Sequence, residues 1–332
     1  MHKLPKHEKI RVFEGFAGYG GATFGLRRSY VKHEVIGFSE FDKDAIELYE
    51  YNFPKVHNFG DITEIDENDP NLPDFDLFTG GFPCQPFSTV GKRQGQEDER
   101  GRGTLFGDII RICEVKQPKY ILLENVKGLT TGKMKETFKI ILSELNRIGY
   151  DVRYSVLNSK DYGIPQTRER LWIFGYLGTL PESFNLVPPT LPLKGYLSDF
   201  LDKNPSPDLY KTQAQIARIH EIHKNVKFDV VEPLCYDIYN RKIRTDRICM
   251  TVTPPEHNVI RIVGPMVNGE ERFRKLSLDE HFRLMGFKMD GINNEIKFPP
   301  TQNYTRLGRR AGNGWDVNLV GILFNHIFGQ LL

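Results

Sequence analysis

The run Ile10-Arg11-Val12-Phe13-Glu14-Gly15-Phe16-Ala17-Gly18-Tyr19-Gly20-Gly21 decides the fold class. Residues 10–13 read as a buried strand, the glycines as a tight turn, and residues 22–30 as a helix. Glycines at such a turn let the backbone approach a bound molecule, and the helix that follows offers free N–H groups. The spacing is not the dinucleotide Gly-x-Gly-x-x-Gly, so the turn alone points only to a nucleotide-like ligand.

Working outward, the same alternation continues. Residues 35–38 form a second predicted strand, and 42–52 have helical period with Asp42 as N-cap. Strands are predicted at 75–79, 120–123, 152–157 and 171–177, and helices at 105–116 and 134–148. Strands alternating with helices predict an α/β domain: a mainly parallel, mixed sheet with helices on both faces. In such sheets ligands sit beyond the carboxyl ends of the strands. Proline-rich residues 181–207 mark a boundary. Short strands at 248–252 and 259–263 follow, helical pattern returns after Arg274, and residues 317–332 form an apolar helix. The expected organisation is a catalytic and cofactor-binding domain at 1–180, a small inserted domain with its hinge at 181–273, and a return to the first domain at 274–332.

Bulk properties exclude little. The 332 residues are 39% hydrophobic and 27% charged, ordinary for a globular enzyme. No apolar run is long enough to span a bilayer, and the charged N-terminus lacks a signal-peptide core, so a cytoplasmic location is expected. A net charge of +2 does not argue for nucleic acid by itself. Attraction to DNA has to come from local clusters: 241–247, 272–275 and 306–310 are the candidates, each with a solvated face as its plain alternative. The four cysteines, 84, 113, 235 and 249, show no zinc or redox spacing, and no metal is expected. Cys113 falls in an apolar helix and is expected in the core.

The sharpest local feature is Gly81-Phe82-Pro83-Cys84-Gln85-Pro86-Phe87-Ser88. A cysteine between two prolines, just past a strand and a double glycine, is rigidly presented at the sheet's edge. This is the setting of a nucleophilic thiol. Glu124, leaving an apolar strand in Glu124-Asn125-Val126, is expected to be partly desolvated, which suits proton donation. Gln166-Thr167-Arg168-Glu169-Arg170 supplies guanidinium groups for planar recognition of a base or phosphate; an Arg168–Glu169 ion pair is the plainer reading. Glu40 at the second strand's end suits ribose hydroxyls, and Asp61 an adenine amine. Together with the glycine turn they favour an adenosine-containing cofactor.

In their order, Phe16-Ala17-Gly18-x-Gly20-Gly21, Pro83-Cys84-Gln85, Glu124-Asn125-Val126, Gln166-x-Arg168-x-Arg170 and Gly312-Asn313 resemble the DNA (cytosine-5) methyltransferases. The resemblance covers nearly the whole chain and is nearest to the compact bacterial restriction–modification enzymes. It implies a Rossmann-like methyltransferase fold with an inserted target-recognition domain, S-adenosyl-L-methionine as cofactor, double-stranded DNA as substrate, a monomer, and a restriction endonuclease as a possible cognate partner. It assigns catalysis to Cys84, Glu124 and Arg170, with Arg168 supporting the pocket. It assigns the cofactor to Phe16, Ala17, Gly18, Gly20, Gly21, Glu40, Phe41, Asp61, Ile62, Phe82, Leu105 and Asn313. It assigns DNA contact to Ser88, Lys92 and Arg102 in a closing loop, and to Thr251 beside the target base. Glu14 departs from the family's commoner Asp, Val90 replaces a polar residue, and 99–103 carries two extra residues. A tRNA cytosine methyltransferase is the rival on the same fold; a non-catalytic cofactor-binding protein and a nicotinamide dehydrogenase are rivals in class.

Overall fold

The computed structural model describes residues 9–83, 105–224, 230–238, 240–254 and 260–332. Strand β1, Ile10–Gly15, is buried at every position except Arg11. Such double-faced burial is characteristic of a strand inside a sheet covered on both sides. It lies between β2 (His33–Ser39) and β3 (Leu77–Gly81), parallel to both. β4 (Tyr120–Val126) continues the parallel set beside β3. β6 (Glu169–Leu177) then runs antiparallel to β4, and β5 (Tyr150–Asn158) closes the order β2-β1-β3-β4-β6-β5. The predicted mixed sheet is therefore present.

Helices cover this sheet because successive strand residues point to opposite faces. Ile121 and Leu123 share a core with Ile109 and Ile112 of one helix, Leu105–Lys116, and with Phe138 and Ile141 of another, Lys135–Arg147. Cys113 is fully buried in the same core, which pushes its thiol pKa far up. On the other face, Tyr120 meets the ring of Phe328 edge-on at 5.0 Å. Asp42 is the expected N-cap of Lys43–Asn52, accepting from the backbone N–H groups of Asp44 and Ala45.

The chain folds as two compact units. The first comprises residues 1–157, 169–189 and 320–332, the second 158–168 and 190–319. The sequence-based boundaries at 181 and 274 thus differ from the observed ones. Residues 274–319 group with the second unit, where Glu280 Oε1 accepts from Asp202 N at 2.7 Å and Leu284 O from Gln166 Nε2 at 2.6 Å. The second unit carries an antiparallel sheet of order β10-β9-β7-β8, formed by Glu270–Arg274, Ile260–Val267, Leu234–Asp237 and Lys242–Arg244.

Residues 248–252 do not form the predicted strand. Cys249 instead makes an isolated bridge with Gln166, its N–H donating to Pro165 O at 2.7 Å and its carbonyl accepting from Thr167 N at 2.8 Å. The segment 165–168 satisfies these backbone groups in place of a sheet neighbour. The buried thiols of Cys235 and Cys249 come within 3.8 Å, a proximity their spacing in sequence did not announce.

Candidate active site

The site begins at the glycine turn. Three residues there adopt left-handed backbone: Phe16 (φ 52°), Gly18 (φ 57°) and Gly20 (φ 91°). Glycine at 20 is required twice over, because a Cβ there would also lie 2.8 Å from the Phe53 ring. Helix α1, Gly21–Arg28, starts directly after it.

Glu14 holds that start in place. Its buried carboxylate accepts from Ala22 N at 2.9 Å, Thr23 Oγ1 at 2.5 Å and the Tyr49 hydroxyl at 3.4 Å. The longer Glu therefore anchors the helix from inside the core. Burial pushes its pKa up to about 7, against the opposing hydrogen bonds from Thr23 and Ala22. The folded protein then holds the Glu14 proton more tightly than the unfolded chain does. Stability should fall as pH rises from about 4.5 to about 7. Urea midpoints measured across that window are expected to drop in the wild type and to change less in Glu14→Gln. Equal pH profiles would contradict the assignment.

Glu40 sits at the carboxyl end of β2, and its oxygens accept from Gly18 N, Phe41 N and Asp42 N, each at 2.9 Å. A carboxylate has about four lone-pair sites, so roughly one remains for a ligand hydroxyl. Asp61 uses Oδ1 to accept from Thr63 N and Thr63 Oγ1, while Oδ2 makes no bond among the described residues. Phe41 is 69% exposed, a large ring left in solvent beside Glu40. Phe16, Ile62, Phe82 and Leu105 join the core behind this edge. An apolar platform, a spare acceptor on each acid and an open space at Gly18 fit an adenosine-bearing cofactor.

The catalytic candidates meet because β6 runs backwards beside β4. In that register Val126 faces Arg170 and Glu124 faces Trp172, so the start of β6 adjoins the carboxyl end of β4. Arg170 Nε lies 2.9 Å from Glu124 Oε1, with both side chains largely buried. Glu124 lies inside the strand ladder, not beyond its end as the sequence suggests, and is 8% exposed. Asn125, which carried no assigned role, donates from Nδ2 to Phe82 O at 2.9 Å. That bond holds the backbone leading into Pro83-Cys84. Its only signal in the sequence was its place after Glu124. Cys84 itself, with Ser88, Lys92 and Arg102, lies outside the described residues.

Arg168, Thr251 and Asn313 belong to the second unit. Arg168 is 2% exposed and donates to the carbonyls of Val252, Gly312 and Gly314 at 2.9, 3.1 and 2.7 Å. The guanidinium is thus committed to backbone carbonyls, consistent with the pocket-supporting place the resemblance gives it. Glu169 pairs with Lys127 at 3.0 Å. Thr251 Oγ1 donates to Thr167 O at 2.6 Å, and Gln166 accepts from Val252 N while donating to Leu284 O. Gln166, passed over in the sequence as part of the motif's frame, is likewise committed to backbone. Asn313 is exposed at the end of its helix, Tyr304–Asn313.

The mixed sheet wrapped by helices defines the class, an α/β methyltransferase fold. Solved structures share the fold: a Dnmt2 methyltransferase of S. pombe has a TM-score of 0.68 at 20% identity, covering 98% of this chain and 99% of that one. The Entamoeba histolytica methyltransferase EhMeth has a TM-score of 0.68 at 16% identity, covering 98% of this chain and 100% of its own. The chain belongs to the C-5 cytosine-specific DNA methylases, whose sequence profile matches residues 10–329. It is 37% identical over 324 residues to the type II methyltransferase M.BsuFI of Bacillus subtilis, spanning 94% of this chain and 71% of that protein. M.NgoBI of Neisseria gonorrhoeae is also 37% identical, over 93% of this chain and 90% of its own. The protein is a DNA cytosine-5 methyltransferase.

Proposed function

We propose that this enzyme methylates one cytosine within a short duplex DNA sequence as the modifying partner of a type II restriction–modification system. The observation that carries the chemistry is the buried Glu124–Arg170 pair, set beside the Asn125-anchored strand end that leads to Cys84. The reacting ring atoms are inaccessible inside a duplex, so the target base is extruded before reaction.

The Cys84 thiolate adds to carbon 6 of the cytosine while the Glu124 carboxyl gives a proton to ring nitrogen 3. Carbon 5 becomes enamine-like and takes the methyl carbon. Bound S-adenosylmethionine supplies that methyl group on a sulfonium, a good leaving group. Glu40, Asp61 and the Phe41 ring would hold the adenosine part. Loss of the carbon 5 proton to solvent, return of the nitrogen 3 proton to Glu124 and departure of Cys84 with its bonding electron pair restore the aromatic ring. Arg170, 2.9 Å from the Glu124 carboxyl, would orient it and hold the base's exocyclic oxygen.

The test is a duplex containing 5-fluorocytosine at target sites, incubated with S-adenosylmethionine. Fluorine cannot leave as a proton does, so a covalent protein–DNA complex stable to denaturation is expected, and none with Cys84→Ser. Base-resolution methylation sequencing of DNA from expressing cells should show one recurrent cytosine context. Transfer of label to tRNA with none to duplex DNA would overturn the reading.

A further inference from the structure

Asp61 and Ile62 stand in a stretch that leaves the sheet after Asn58, which bridges Phe38, and re-enters it only at Leu77. No ladder fixes them, so other bonds must. Upstream the stretch is tied to β2, where Phe59 N donates to Phe38 O and Ser39 Oγ to Gly60 O, both at 2.7 Å. Asn58 Oδ1 accepts from Glu40 N at 3.3 Å and from Gly60 N at 3.0 Å, so one side chain serves the backbone beside both acids.

Downstream, Arg111 of the helix Leu105–Lys116 takes over. Its Nη2 donates to Ile62 O at 2.6 Å, and its Nη1 to Ile65 O and to Glu67 Oε2, the latter at 2.5 Å. Its Nε donates to Asp108 Oδ1 at 2.9 Å, three residues back on the same helix, which aims the guanidinium. The planar fork therefore holds the first carbonyl of the single helical turn Ile62–Glu64 and the carbonyl just past it. Ile62 and Ile65 point their side chains into the core shared with Phe82 and Phe106.

An ion pair as open to solvent as Arg111–Glu67 stabilises little by itself. Two bonds from one rigid group to backbone carbonyls do something different: they fix where the turn sits. The Asp61 carboxylate caps that turn through Oδ1, so its other oxygen points wherever the turn directs it. A binding group held loosely loses its hydrogen bond within a fraction of an ångström.

We propose that Arg111 is a positioning residue for the methyl donor, setting the turn from which Asp61 and Ile62 meet the adenine. The proposal rests on the reading of Asp61 as acceptor for the adenine amine. Arg111 acts through the turn and takes no part in the chemistry at the base.

Calorimetric titration of the whole enzyme with S-adenosylhomocysteine, and with its deaminated analogue S-inosylhomocysteine, tests this. The wild type is expected to prefer the compound that carries the amine. Arg111→Met is expected to bind S-adenosylhomocysteine about 10-fold more weakly and to lose most of that preference. Single-turnover methylation at saturating S-adenosylmethionine should stay within about 3-fold of wild type, the mark of a loss in binding alone. Lys116→Gln is the comparison: Lys116 Nζ ties the same helix to Leu72 O at 2.7 Å, so its loss should lower the urea midpoint and leave the preference intact. Arg111→Lys keeps a cation beside Asp108 and Glu67 without the fork, and should show the same shift in smaller measure if methionine impairs folding. An unchanged preference in the Arg111 variants, or an equal loss in Lys116→Gln, would overturn the positioning role. Asp61→Asn separates the two readings. If it abolishes the preference while the Arg111 variants keep it, only the role of Arg111 falls; if it leaves the preference intact, the reading of Asp61 falls and the proposal with it.

Discussion

Glu124→Gln is expected to lower the single-turnover methylation rate by roughly 10²- to 10⁴-fold, the range over which a positioned acid acts. Glutamine keeps the shape and can still accept from Arg170 Nε, now 2.9 Å from Glu124 Oε1. It has no proton to give to ring nitrogen 3, so addition of the Cys84 thiolate loses its partner step. Because the side chain sits within the β4–β6 ladder and is already largely buried, a neutral replacement should leave the fold intact. DNA affinity is expected to stay near the wild-type value, which separates a chemical loss from a binding loss. A rate within about 10-fold of wild type would remove Glu124 from the chemistry.

Arg168→Met is expected to cost about 3–5 kcal/mol in stability of the second unit. Methionine fills much of the volume but leaves the carbonyls of Val252, Gly312 and Gly314 without this donor in a site that is 2% exposed. The surroundings have little room to relax. A Cβ on Gly312 would fall 2.2 Å from the backbone nitrogen of Pro254, so the helix end already presses on that segment. Arg168→Lys keeps the charge, yet a single ammonium does not span three carbonyls, and an intermediate loss is expected. Urea unfolding followed by tryptophan fluorescence measures both. A loss under about 1 kcal/mol would mean that water takes over the guanidinium's bonds.

Much of the first unit was legible beforehand because its signals are local. The alternation of apolar runs with helical periods located the strands and helices, and Asp42 announced its cap. The Glu124 and Arg170 motifs stood out by residue type and surroundings, and the structure pairs the two side chains. Arg168 was harder to read. In sequence it is one of two arginines two residues apart, but Arg170 lies on a strand facing Val126, whereas Arg168 precedes the strand and turns into the second unit. The predicted strand at 248–252 failed because its backbone groups bond to residues 165–168. No pattern within the strand-like run itself records that.

The sequence by itself determined which chemical groups this methyltransferase possesses and the elements that carry them. Periodicity, capping and turn chemistry depend on neighbours within a few residues. Only the tertiary structure decided the partnerships. The reversal of β6 against β4 makes Glu124 and Arg170 a pair, and the bridge of Cys249 to Gln166 takes residues 248–252 out of the predicted strand. Both depend on strand direction and register, which long-range pairing sets and a one-residue slip would undo.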